Sequence, residues 1–152
     1  MQSAGILLYR NKNNRLQVLL VHPGGPYWAN KDAGAWSIPK GEFSEGEEGL
    51  DAAKREFEEE TGQRLPEGVY LPLGSVKQKG GKTVFAWARE YDIDLTVIDS
   101  NKIEIEWPPR SGRKLEIPEV DRAEWLSMED AKLKINPAQV AFVERLVEVL
   151  AN

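Results

Sequence analysis

The chain has 152 residues, enough for one core that folds without staples, and a formal net charge of −5. It has no cysteine, which excludes disulfides and thiolate chemistry, and its acidic balance argues against bulk nucleic-acid binding. The longest apolar runs, Gly5–Tyr9 and Val18–Val21, are too short to span a bilayer, and the start MQSAGILLYR lacks a signal-peptide pattern, so a cytoplasmic protein with no membrane partner is expected.

Ser3–Tyr9 reads as a strand buried on both faces, Asn11–Asn14 as a turn, and Leu16–His22 as the returning strand. Pro23-Gly-Gly-Pro26 breaks that strand, and the loop runs on to Gly34. Trp36-Ser-Ile-Pro39 is a short extended piece that delivers Lys40. Residues 49 to 61 read as a helix, with Gly62 as its left-handed cap. Val69–Val76 is extended but interrupted by Pro72, which suits an irregular or edge strand. Lys79-Gly-Gly-Lys82 is a hairpin turn leading into a strand over Thr83–Glu90. Lys102–Trp107 alternates Ile103, Ile105 and Trp107 against charged residues, as a half-buried strand does, and a polar loop follows from Pro108 to Lys114. Arg122–Leu126 is extended. Ser127 caps a helix over Met128–Lys134, and Asn136-Pro137 starts another. In that last helix Val140, Val143, Leu146, Val147 and Leu150 form one apolar stripe. The pattern implies a single domain over residues 1–152, α+β, with helices on a mixed sheet.

The chemistry is concentrated in Gly41–Gln63, GEFSEGEEGLDAAKREFEEETGQ. On a helix, residues three and four apart share a face. Glu56, Glu59 and Glu60 therefore lie on one arc, and Leu50, Ala53 and Phe57 on another that suits a core. Arg55 stands one turn before Glu59, close enough to pair with it. Like-charged carboxylates on one face call for a positive partner, and oxygen ligands of this kind suit a hard divalent cation such as Mg²⁺.

The spacing is more specific than the charge. Gly41, Glu47, Arg55-Glu56-Phe57, Glu59-Glu60 and Gly62 stand in a register that resembles the Nudix box of the Nudix hydrolase family. The last box position, usually aliphatic, is Gln63, which touches packing after the helix and leaves the carboxylates intact. The resemblance implies an α/β/α sandwich with a mixed β-sheet and hydrolysis of a phosphoanhydride in a nucleoside diphosphate linked to another group. It implies Mg²⁺ as cofactor, with Mn²⁺ as a substitute, held by Glu56, Glu59, Glu60 and the Gly41 carbonyl. Glu59 or a nearby carboxylate would act on the water, with Arg55 and Glu47 fixing the glutamates. Glu119, six residues before Trp125, matches a loop glutamate that approaches the metals in several members. The run Trp36-Ser-Ile-Pro-Lys-Gly41 resembles W-x-x-P-K-G in members acting on dinucleoside polyphosphates and diphosphoinositols.

Several residues carry two readings. Lys40 is a phosphate ligand or a solvated loop lysine. Arg110 and Arg113, flanking Ser111-Gly112, suit phosphate recognition or a solvated loop. Tyr27 and Trp28 suit stacking on a base or simply cover their loop. His22, the one histidine, reads as structural. The expected partner is a small nucleotide or other diphosphate, with a dinucleoside polyphosphate favoured. Nucleoside triphosphates, ADP-ribose and diphosphoinositols are the alternative substrates. A Nudix-fold nucleotide-sensing module and an acidic Ca²⁺ buffer are the alternative classes, although no D-x-D-x-D-G loop supports the latter.

Overall fold

In the structure, a computed structural model, residues 1–152 are described, the Val97 side chain excepted. Strand β1 (Gln2–Lys12) is the spine. Its continuous, mostly apolar run from Ser3 to Tyr9 is buried on both faces, which requires a layer of helices on each side. Along residues 2–9 it pairs in parallel with β5 (Lys82–Glu90). Its other edge is shared. β2 (Arg15–Pro23) pairs antiparallel with residues 9–12 of β1, and β3 (Lys40–Phe43) pairs with residues 2–5. β4 (Tyr70–Gln78) forms one outer edge beside β5, and β8 (Val120–Ser127) the other beside β2. The edge position of β4 follows from Pro72, where the register shifts before Ser75.

Helix α1 (Gly49–Thr61) covers one face of this sheet. Ala52, Ala53 and Phe57 pack there on Ile6, Leu8 and Leu19. Leu50, expected in that core, is only half-buried, because the helix start lies at the margin of the sheet. Helices α2 (Met128–Lys134) and α3 (Val140–Ala151) cover the other face, where Phe142, Val143 and Leu146 meet Leu7, Val84 and Ala86. The result is the expected α/β/α sandwich around a mixed sheet.

Local signals explain the helix ends. Ser127 Oγ accepts the Asp130 amide at 3.1 Å, and Asn136 Oδ1 accepts the Ala138 amide at 2.9 Å. Gly62 sits at φ 72°, a left-handed cap whose amide donates to the Glu58 carbonyl.

Three expectations need correction. Val147 and Leu150 are 47 % and 38 % exposed, so the buried stripe of α3 runs instead through Phe142, Val143 and Leu146. A 3₁₀ turn at Pro137–Gln139 precedes α3. The opening of the box, Lys40–Phe43, which follows the extended piece Trp36–Pro39, is itself strand β3. Finally, Lys102–Glu106 (β6) does not join the main sheet. It pairs with Lys114–Pro118 (β7), which the sequence reading left unassigned, to form a separate two-stranded ribbon.

Candidate active site

Because β2 and β3 share one edge of β1, they diverge and leave a gap there. A cavity of about 140 Å³ fills it, lined by Ser37, Ile38, Lys40, Glu60, Glu119 and neighbours on β2 and β8. Thus Lys40, the end of α1 and Glu119 converge, although they lie far apart in sequence.

The carboxylates of α1 are not equivalent. Glu56 and Glu60, one turn apart, face inward and are 7 % and 8 % exposed. Glu59 stands at the rim. Arg55 gathers the outer part of the cluster. Its Nε and Nη2 donate to the two oxygens of Glu47, each at 3.0 Å, and Nη1 donates to Glu56 at 2.6 Å and Glu59 at 3.3 Å. The fork geometry of guanidinium allows this sharing, which an ammonium could not reproduce. Glu60 Oε1 accepts only a longer bond, 3.3 Å, from the Lys40 amide.

The electrostatics follow from burial. Desolvation, with repulsion from Glu119, pushes the Glu60 carboxyl up to about 9, against the Lys40 amide and ammonium. Desolvation and then repulsion from Glu59 raise Glu56, and Arg55 opposes the shift. Burial lowers the Lys40 ammonium, opposed chiefly by Glu60. The hydrogen bond to Glu47 raises Arg55. Without a cation to compensate them, burial therefore favours the neutral forms of Glu60 and Glu56.

Gly41 is the residue that lets Glu56 turn inward, because a Cβ there would overlap its carboxylate. Glu119 is set by residues the sequence reading missed. The amides of Asp99 and Asn101 cap the last turn of α1 by donating to the Thr61 and Glu59 carbonyls, both at 2.9 Å. The Asn101 side chain then donates to Glu119 Oε1 at 3.1 Å. Nothing local in the sequence around Asn101 announces this role.

Arg110 and Arg113 are not brought to the cluster. They sit exposed at the tip of the β6–β7 ribbon, roughly 20 Å along the strand from Glu119 at about 3.4 Å per residue. His22 is fully buried, with Nδ1 bonded to Asp121 at 2.9 Å and Nε2 to the Lys31 carbonyl at 2.6 Å, as a structural histidine should be.

Among the described residues, no three His, Cys, Asp or Glu side chains stand together as a formed metal cage. Arg55 instead occupies oxygens of Glu47, Glu56 and Glu59. The donor chemistry nevertheless fits a hard divalent cation: oxygen ligands only, two of them buried and under-compensated.

A family model of the NUDIX domain matches residues 1–146. The chain belongs to the Nudix family. With its box carboxylates complete, it is a Nudix hydrolase, a pyrophosphohydrolase. The asymmetrical bis(5′-nucleosyl)-tetraphosphatase of Rattus norvegicus is 28 % identical over 109 residues, which are 62 % of this chain and 70 % of that protein. Among solved structures, a C. elegans Ap4A hydrolase binary complex superposes with a TM-score of 0.70 at 20 % identity over 98 % of both chains. The NUDIX domain of Shewanella oneidensis NrtR, solved with ADP ribose, gives 0.65 at 17 % identity over 99 % of this chain and 88 % of that one. At such identities these structures speak for the Nudix fold.

Proposed function

We propose that this Nudix hydrolase acts on a dinucleoside polyphosphate, cleaving one phosphoanhydride bond by attack of water. The observation that carries the proposal is the convergence of Lys40, Glu60 and Glu119 on one cavity, with Lys40 supplied by the Trp36–Gly41 run. The similarity to the rat tetraphosphatase supports the same substrate class.

In this reading Glu56, Glu59, Glu60, Glu119 and the Gly41 carbonyl would hold Mg²⁺, or Mn²⁺ in its place. A cation held there would supply charge neutralisation at the phosphate oxygens. Glu59, at the solvent-facing rim, orients the water and takes its proton. Arg55 and Glu47 hold Glu56 and Glu59 at fixed separation. Lys40 offers an ammonium to a phosphate oxygen as a point charge. Arg110 and Arg113, at the ribbon tip, lie too far from the cavity to touch the bond being cut.

A panel tests the assignment: diadenosine tetraphosphate, ATP, ADP-ribose, a sugar nucleotide and a diphosphoinositol, each with and without Mg²⁺. The highest kcat/KM is expected for diadenosine tetraphosphate, and only with the metal. A strong preference for ADP-ribose or for ATP would overturn the substrate assignment.

A further inference from the structure

A cavity of about 630 Å³ lies between α1, the segment that follows it, and the ends of β4 and β5. Lys54, Arg55 and Glu58 line it from the helix, Arg64 and Glu67 from the segment, and Tyr70 and Tyr91 from the strands. Two residues along a helix turn the side chain by about 200°, so Lys54 and Glu58 leave α1 on the flank opposite Glu56. Arg55 stands between the two flanks, lining this cavity while it holds the glutamates of the acidic cluster. We infer that the cavity is a second anion-binding site, separate from the catalytic one, which takes a small anion of several phosphate groups.

Cations outnumber carboxylates here, in a chain whose net charge is −5. Lys54 and Arg64 are exposed, and among the described residues neither pairs with a carboxylate, although Glu58 and Glu67 line the same cavity. A third cation, Arg89 of β5, is only 5 % exposed and is not ion-paired either. Its Nε and Nη2 donate to the Glu90 and Glu67 carbonyls, both at 3.3 Å, and its Nη1 is buried with no partner. A buried guanidinium without an opposite charge is costly and leaves a positive field in the space beside it. That space is the cavity, since Glu67, Tyr70 and Tyr91 form the wall between them, with the two rings 5.0 and 5.8 Å from Arg89 Cζ. Gly68 makes the position possible, because a Cβ there would overlap the guanidinium.

The lining selects a charged occupant over a flat, neutral one. Lys54 Nζ and Arg89 Cζ both lie over the Tyr70 ring, 4.8 and 5.0 Å from its centroid, and Arg89 also lies over Tyr91. The rings therefore serve the cations rather than a stacked ligand. Two cations gathered on one ring repel each other, and an anion beside them relieves that repulsion. Phosphate oxygens suit the lining, because guanidinium forks match them two at a time and an ammonium binds them as a point charge. The volume lies within the usual range of about 300–1,000 Å³ for ligand pockets, which favours an anion of several phosphate groups over a single one.

Calorimetric titration of inorganic tripolyphosphate into the full chain, freed of metal on a chelating resin, tests the site. Without a metal the carboxylates of the acidic cavity oppose an anion, so the titration reads the other flank of α1. The wild type should bind one equivalent with a Kd below about 1 mM. The double variant Lys54→Ala, Arg64→Ala should bind at least about tenfold more weakly, as expected for two exposed charge contacts. Both side chains are exposed, so this variant should melt as the wild type does. Arg89→Met, which removes the buried charge, should also weaken binding, and the double variant decides the matter if Arg89→Met does not fold. Lys40→Ala should leave the affinity unchanged. No binding by the wild type, or equal affinity in the double variant, would overturn the site. So would loss of binding in Lys40→Ala, which would place the anion in the acidic cavity. The titration involves neither metal nor turnover, so its outcome is independent of the substrate panel.

Discussion

Gly41 and Glu56 occupy one space: the carboxylate of Glu56 lies where the first side-chain atom of any other residue at position 41 would have to be. A strand residue and a helix residue are thereby locked together, and the turn of Glu56 into the protein depends on a missing methyl group.

Gly41→Ala should accordingly displace Glu56 from Arg55. Overpacking of this kind costs about 1–3 kcal/mol, and the melting temperature should fall. Stabilisation by added Mg²⁺ should shrink at the same time, since the displaced carboxylate is one of its proposed ligands. Thermal melts with and without Mg²⁺ check both effects, and an unchanged pair of melts would refute the close packing.

Glu59→Gln keeps the size of the side chain and removes its charge. Turnover should drop at least about a hundredfold, as for loss of a positioned base. Without metal the melting temperature should hold or rise slightly, because Glu59 repels the buried Glu56. Near-normal kcat at saturating Mg²⁺ would move the role to Glu56, Glu60 or Glu119.

Arg55→Lys retains a cation but loses the fork that reaches three glutamates. Since the Arg55 side chain is 41 % exposed, stability should change by less than about 1 kcal/mol. Activity should fall by an order of magnitude or more, because Glu56 and Glu59 lose their common anchor. Full activity in the lysine variant would show that charge alone suffices.

The metal-free protein should lose stability as pH rises. Glu60 titrates near 9 when folded against 4.5 as a free group, so folding favours its neutral form. That contribution is fully present below about pH 4.5 and is lost progressively up to about pH 9. Glu56 is shifted in the same direction. Melts in EDTA across this window should therefore decline, Glu60→Gln should flatten the decline, and stabilisation by Mg²⁺ should grow with pH. An EDTA profile that rises between pH 6 and 9 would contradict the buried, uncompensated state of Glu60.

Much of this was legible in residue order alone. The extent of α1, its glycine cap, the Ser127 and Asn136 caps, the two-faced β1 strand and the edge character imposed by Pro72 all arise from contacts within a few residues. The box spacing located Glu56, Glu59 and Glu60, and the one-turn step from Arg55 to Glu59 appears as an ion pair. What spacing could not show was which carboxylates turn inward. That depends on Gly41 from another strand and on Ala52 and Ala53 seating the helix against β1.

By itself, then, the sequence determined the local elements, the family and the chemical character of the acidic cluster, because helical period, caps and side-chain type act at short range. The tertiary structure decided the rest. Splitting one edge of β1 between β2 and β3 opened the cavity that unites Lys40, Glu60 and Glu119. Capping of α1 by Asp99 and Asn101 brought the otherwise unremarked Asn101 to Glu119. Pairing of β6 with β7, instead of with the main sheet, carried Arg110 and Arg113 away from the cluster and set an aliphatic face opposite Tyr27 and Trp28. Each of these is a contact between segments distant in the chain, decided by how the whole sheet buries its two faces and satisfies its edges.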